Sequence, residues 1–289
     1  MSVVIPAHGP GPFLGEAVAS ALAEQPGEVL VVEDGTEGVD ASALGDVRLL
    51  RLPHVRRSRA RNTGVEAVGT PYVAFLDEDD VCIAGRLERQ RAALEDAPHA
   101  TMTYGPVTVV DEGLRPQAEW NDILGPRFDE LVARGSTYDA IAEVGGPLYL
   151  SATMVRRDAF LATGGFDPAF DAHEDLDLYL RLARDGAFVP TVGEPVTLYR
   201  VHGTNTPSDA LYRGTLGVTA KHLAGARGPA RRALLERRVD ALWSLGEFAA
   251  ARREAARAAL AEPRLLRHPR FVKRLLGLAA PTRLLEARR

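Results

Sequence analysis

"YVAFLDEDD", residues 72–80, is an apolar run that ends in four consecutive acids. Its first five residues are apolar without a break, as in a strand buried on both faces inside a parallel sheet. Carboxylates crowded at the tip repel one another and raise each other's pKa unless something cationic sits among them. In an extended segment Asp77 and Asp79 point to one side, and Glu78 and Asp80 to the other. Two carboxylates aimed at one point suit a hard, oxygen-loving ion such as Mg²⁺ or Mn²⁺, and a solvated turn is the plain alternative.

The flanking sequence supplies the rest of such a sheet. "VVIPA" (3–7), "EVLVVE" (28–33) and "VRLLRL" (47–52) read as strands, and helical spacing recurs over 13–22, 59–68 and 86–95. "TMTYGPVTVV" (101–110) and "LYLSATMVRR" (148–157) are strand-like. Residues 111–147 carry no clear period and read as loops or short helices, a mobile cover. A helix is predicted over 171–186, stopped by Gly186, and "PVTLYRVH" (195–202) closes the alternation. Strand–helix alternation predicts an α/β fold with a mostly parallel sheet, in which ligands gather at the carboxyl ends of the strands. Asp34 and the 77–80 cluster both stand at such ends.

From about residue 207 the pattern is purely helical, so the expected domains are 1–206 and a helical region over 207–289. Residues 231–263 pair two helical stretches around Gly246, like a single tetratricopeptide-type hairpin. One such unit cannot bury its own apolar face, so it is expected to pack on the main domain or on a partner.

Composition narrows the function classes. The 289 residues are 46% hydrophobic with a net charge of −4, which gives no case for nucleic acid as a partner. Cys82 is the one cysteine, so no disulfide framework exists and a reducing compartment fits. No apolar stretch approaches the roughly 18–20 residues that span a bilayer, and the early strand leaves no signal peptide, so a cytoplasmic protein is expected. From Pro263 onward eight Lys/Arg face one acid, Glu286. That asymmetry predicts a tail with its own partner, an anionic membrane surface or an acidic protein.

Asp77-x-Asp79 after an apolar strand also matches the haloacid-dehalogenase-type phosphohydrolases, with Asp77 as nucleophile. That chemistry needs a lysine between its acidic motifs, and the first lysine here is Lys221, beyond every other candidate element. An EF-hand lacks its glycine and distal glutamate.

Eight segments in order carry a more specific signal: "VVIPAHG", "ASALAEQ", "VLVVEDGTEG", "SRARNTGVEAVGTPYVAFLDEDD", "GRLERQ", "GGFDPAF", "HEDLDLYLRLARDG" and "LYRVHGTN". Over residues 2–205 the chain resembles glycosyltransferase family 2, inverting nucleotide-sugar transferases of the GT-A fold. The resemblance implies that Asp34 bonds the nucleobase, with Pro6 and Ala7 lining its pocket. The family's Tyr-Asn after the first strand is His8-Gly9 here, and Glu33 replaces a common aspartate. Asp77-Glu78-Asp79 matches the family's Asp-x-Asp. It implies Asp79 as direct ligand of Mn²⁺ or Mg²⁺, Asp77 and Glu78 toward ribose or metal-bound water, and His202 completing the metal site. Among Arg56, Arg57, Arg59 and Arg61, the family's Ala-Arg-Asn singles out Arg61 for diphosphate or uracil-edge contact.

Inversion needs a base opposite the leaving group, and the resemblance implies Asp175 in "HEDLD", with Glu174 second. Acids there also suit a helix N-terminus, and Asp171 to Glu174 fits a capping box. Gly145, Gly146 and Pro147 are candidates for the acceptor entrance or an ordinary turn. The expected donor is a nucleoside-diphosphate sugar, UDP before dTDP or GDP, and the acceptor a glycan, lipid-linked, natural-product or peptide hydroxyl. The rival of another class is an inactive GT-A scaffold that binds a saccharide or a protein.

Overall fold

The computed structural model describes residues 1–35, 38–145, 147–203 and 205–277. Thr36, Glu37, Gly146, Thr204 and the end of the basic tail from Leu278 lie outside them. The apolar runs become strands β1 (Ser2–Ala7), β2 (Glu28–Asp34), β3 (Arg48–Leu52), β4 (Tyr72–Phe75), β5 (Val81–Cys82), β6 (Ala100–Tyr104), β7 (Val107–Val110), β8 (Thr153–Arg156), β9 (Ala187–Pro190) and β10 (Thr197–Arg200). Among the described residues, seven form a sheet in the order β3-β2-β1-β4-β8-β6-β9, and three form a smaller one, β5-β10-β7. The first four run parallel, β8 lies antiparallel to both β4 and β6, and β6 and β9 pair parallel.

Strands β1 and β2 are buried on both faces, as their unbroken apolar runs require. One face packs Val3, Ile5, Val29 and Val31 with Leu14, Ala17, Val18 and Ala21 of helix Leu14–Ala23. On the other, helix Arg57–Ala67 comes so close that a Cβ at Gly64 would lie 2.6 Å from Val4 Cγ1.

Several expectations need correction. "TMTYGPVTVV" is not one strand: β6 and β7 belong to different sheets, parted at Gly105-Pro106. Proline gives the ladder no donor, and a Cβ at Gly105 would lie 2.6 Å from Val196 Cγ2, so the chain turns out of the first sheet there. Residues 111–147 hold a sixteen-residue helix, Ala118–Ala133, and a second helix, Tyr138–Val144. The first helix continues through Pro126; Gly125, with no Cβ, removes one of the clashes a proline ring makes with the residue before it. In 148–157 only Thr153–Arg156 is strand, preceded by a 3-10 turn.

The chain divides into two compact units, Met1–Ala169 with Asp177–His202, and Phe170–Leu176 with the residues from Gly203 on. The second unit holds helices Ser208–Leu223, Gly228–Ser244 and Phe248–Ala261, then the short helix Pro269–Leu275. Gly246, at φ +76°, turns the middle pair. Leu235, Val239, Ala255 and Ala258 pack with Leu265 and Phe271, so the segment after the hairpin covers part of its apolar face.

Candidate active site

Parallel pairing of β1 with β2 on one side and β4 on the other brings the carboxyl ends of all three together. The acids after β4 do not continue the strand. They occupy a turn closed by Asp80 N–H donating to Asp77 O at 3.1 Å. Strand alternation therefore fails, and the four side chains take four separate partners.

Asp77 Oδ1 accepts from Arg61 Nη2 at 2.5 Å. Arg61 comes from the buried face of helix Arg57–Ala67, while Arg56, Arg57 and Arg59 are exposed. The next residue, Asn62, exchanges two 2.8 Å hydrogen bonds with the Phe166 backbone, tying "ARN" to "GGFD". A Cβ at Gly165, whose φ is +68°, would lie 2.5 Å from Asn62 Oδ1. Glu78 turns toward β1, where both its oxygens accept from His8 N–H. Burial pushes its pKa up to about 7, the charges of Asp79 and Asp77 adding to the rise.

Asp79 Oδ2 faces His202 Nε2 at 2.8 Å. Burial and then the Asp77 charge raise the Asp79 pKa, and His202 offsets part of the rise. Asp80 turns inward: it is fully buried and accepts from Arg200 N–H at 2.8 Å. Burial and the charges of Asp79 and Asp77 hold its carboxyl well above the ordinary range.

At the neighbouring strand end, Asp34 Oδ1 accepts from Val55 N–H at 2.6 Å, and Oδ2 stands 3.6 Å from His54 Nδ1. His8 Nδ1 lies 3.1 Å from Asp34 O, and the His8 and His54 rings are 5.6 Å apart. Pro6 and Ala7 end β1 beside them, Ala7 buried. His54 was missed by the sequence reading because a single histidine in an Arg-rich loop carries no periodic signal.

Among the described residues no group of three or more His, Cys, Asp or Glu is placed to hold a metal. The Asp79–His202 pair nonetheless fits an ion shared with a ligand. Mg²⁺-type sites use one or two protein carboxylates and take their remaining oxygens from substrate phosphates and water.

Glu174 and Asp175 begin the helix Glu174–Asp185 and fall in the second unit. Glu174 is buried, and Asp175 Oδ1 accepts from Leu176 N–H at 2.7 Å. The helix starts directly after His173, at φ +60°, so Asp171 does not occupy the N-cap that a capping box requires. The third acid, Asp177, is structural. It receives two hydrogen bonds from Arg181, which also donates to Thr163 O and Gly165 O. Of the candidate acceptor-entrance residues, Pro147 is buried and Gly145 ends helix Tyr138–Val144.

Residues 2–160 match the family model described as glycosyl transferase family 2. The chain is 32% identical over 198 residues to the pre-mycofactocin glycosyltransferase of Mycobacterium tuberculosis, covering 65% of this chain and 40% of that protein. It is 28% identical over 207 residues to the succinoglycan biosynthesis protein ExoU of Rhizobium meliloti, covering 64% and 57%. The chain thus spans about half the length of these relatives. The crystal structure of S. aureus TarS 1-349 in complex with UDP-GlcNAc superposes with a TM-score of 0.63 at 14% identity, over 96% of this chain and 87% of that one. That likeness shows the GT-A fold expected from sequence. With more than half of its length matched by the family model, the chain belongs to glycosyl transferase family 2.

Proposed function

We propose that the chain transfers a sugar from a nucleoside-diphosphate donor to an acceptor hydroxyl, with inversion and with help from a divalent ion. The observation that carries this reading is the placement of Asp79–His202 and Asp77–Arg61 at the carboxyl end of β4, with Asp34 at the same end of β2, one strand away across β1. The solved relatives support a UDP donor, because S. aureus TarS structures hold UDP and UDP-GlcNAc; dTDP and GDP rank after it.

Pro6, Ala7 and Asp34 line the base pocket, and the His8 and His54 rings take the place of the family's tyrosine at its edge. Arg61 holds Asp77 and faces the diphosphate; Asp77 and Glu78 border the ribose. Asp79 and His202 hold Mn²⁺ or Mg²⁺, which when bound neutralises charge on the departing diphosphate. Asp175 takes the acceptor proton as the oxygen attacks the anomeric carbon, and Glu174 is the second choice.

The first test is a thermal-shift panel of UDP, dTDP, GDP and CDP, each with and without Mn²⁺, on wild type and Asp79→Ala. The proposal expects a metal-dependent rise with one nucleotide that the variant loses. A flat response throughout favours the inactive scaffold. The acceptor is a glycan, lipid-linked, natural-product or peptide hydroxyl. The stretch after Pro263 supports contact with an anionic membrane: Leu266 and Leu276 are exposed among Arg264, Arg267, Arg270 and Lys273. Among the described residues no helix is long and apolar enough to cross a membrane.

A further inference from the structure

Arg200 is among the largest fully buried side chains of the described structure, 1% exposed, yet it carries a guanidinium. Its fork reaches three separate segments. Nε donates to Asp79 O at 2.7 Å, Nη1 donates to Glu112 O at 2.6 Å in the loop after β7, and Nη2 pairs with Glu16 of helix Leu14–Ala23. The Phe13 ring lies 4.2 Å below the guanidinium carbon and also stands 5.3 Å from the His202 ring. Through its backbone the same residue donates to Asp80. Arg200 is thus bonded to the turn that carries Asp79 and sits two residues before His202.

We propose that Arg200 is a positioning residue that sets the approach of Asp79 to His202. The two are 123 positions apart and lie at the same end of the antiparallel β5–β10 pair, whose ladder stops at Val81 and Leu198 and does not reach the turn itself. Arg200 supplies that link twice, by its N–H to Asp80 and by its side chain to the Asp79 carbonyl. Glu16 balances the buried charge, and its own carboxylate is half exposed at the far end. Lysine cannot replace this geometry: an ammonium is a point donor and does not span three acceptors held by a planar fork.

The inference rests on the donor-site reading for its consequence in binding, but not for its structural content, and the test separates the two. Amide exchange and UDP affinity are compared in wild type, Arg200→Lys and Glu16→Gln. Arg200→Lys keeps the N–H bond to Asp80 and the pairing of β10, so the fold persists. Exchange is expected to rise about tenfold or more in peptides covering 77–82 and 200–203, with β1, β2 and β4 unchanged. Mn²⁺-dependent UDP affinity is expected to fall about tenfold, while metal-free affinity changes less than about threefold. Glu16→Gln is expected to show the same pattern, weaker. Unchanged exchange in the turn overturns the proposal, and so does exchange that rises across the whole first unit, which marks mere core packing. If wild type binds no nucleotide, the exchange pattern still decides for or against Arg200, and the donor reading alone falls.

Discussion

At the scale of single residues, the four acids show how side chains of one chemistry come to serve different ends. Asp80 belongs to the interior, Asp77 to Arg61, Glu78 to the β1 backbone and Asp79 to His202. The sequence announced a crowded site but not these directions, because a turn breaks the two-residue alternation that strand reasoning relies on. Asp175→Asn is expected to leave nucleotide binding within about threefold and to lower transfer by about 10²–10⁴-fold, measured by single-turnover kinetics. On the proposed donor site, Arg61→Met is expected to raise donor KM about tenfold or more with a smaller effect on kcat, since it removes the guanidinium that holds Asp77. His173 provides a pH prediction. Burial, with the Arg237 charge adding, lowers its pKa from 6.5 to about 4. Between those values the unfolded chain binds a proton that the folded chain excludes, so stability is lost as pH falls through that window. His173→Asn removes the titration and tolerates the positive φ. The variant's Tm is expected to fall less than that of wild type between pH 7 and 5. The difference is on the order of 1 kcal/mol after discounting for partial exposure, read by calorimetry.

Individual elements were legible where one residue period held over enough length. β1, β2 and β4 and the helix at 14–23 stand within a residue or two of their expected positions because both faces or one full stripe are apolar. Legibility failed where a local signal opposed the tertiary one. Gly105-Pro106 was spanned by a run of strand formers on both sides, and Gly125-Pro126 masked a long helix whose buried positions Leu124, Phe128 and Leu131 have the right spacing. Two-residue β5 is too short to carry any period. The helix Arg57–Ala67 gives a test by contrast. Gly64→Ala forces a methyl against Val4 and Val32 and is expected to destabilise by about 1–3 kcal/mol, although alanine is the better helix former. Gly15→Ala, with nothing within 4 Å of the new carbon, is expected to stabilise by up to about 1 kcal/mol. Urea denaturation of the pair separates crowding from helix propensity.

For the whole molecule, the order of motifs along the chain was more informative than any composition value, since eight short segments spread over two hundred residues meet in only a few arrangements. Net charge said little because −4 averages an acidic body with a basic end. That end makes its own prediction. Binding to vesicles containing phosphatidylglycerol is expected, absent from phosphatidylcholine vesicles and reduced by raising salt from about 0.05 to about 0.5 M, since exposed basic contacts are screened. Replacing Arg264, Arg267 and Arg270 with glutamine should abolish flotation with such vesicles while leaving Tm within about two degrees.

The contact of Asp79 with His202 across 123 positions has a consequence for synthesis. On a ribosome the acid turn emerges early, with β1 and β2 already available to pair. Its partners, Arg200 at the end of β10 and His202 just past it, are encoded more than a hundred residues later. Until they emerge the turn has neither its histidine nor the guanidinium bonded to it, and long-range closures of this kind are slow in general. A nascent chain halted before Thr197 is therefore a sheet with an unfinished acidic tip. The proposed donor site is therefore complete only once β10 docks.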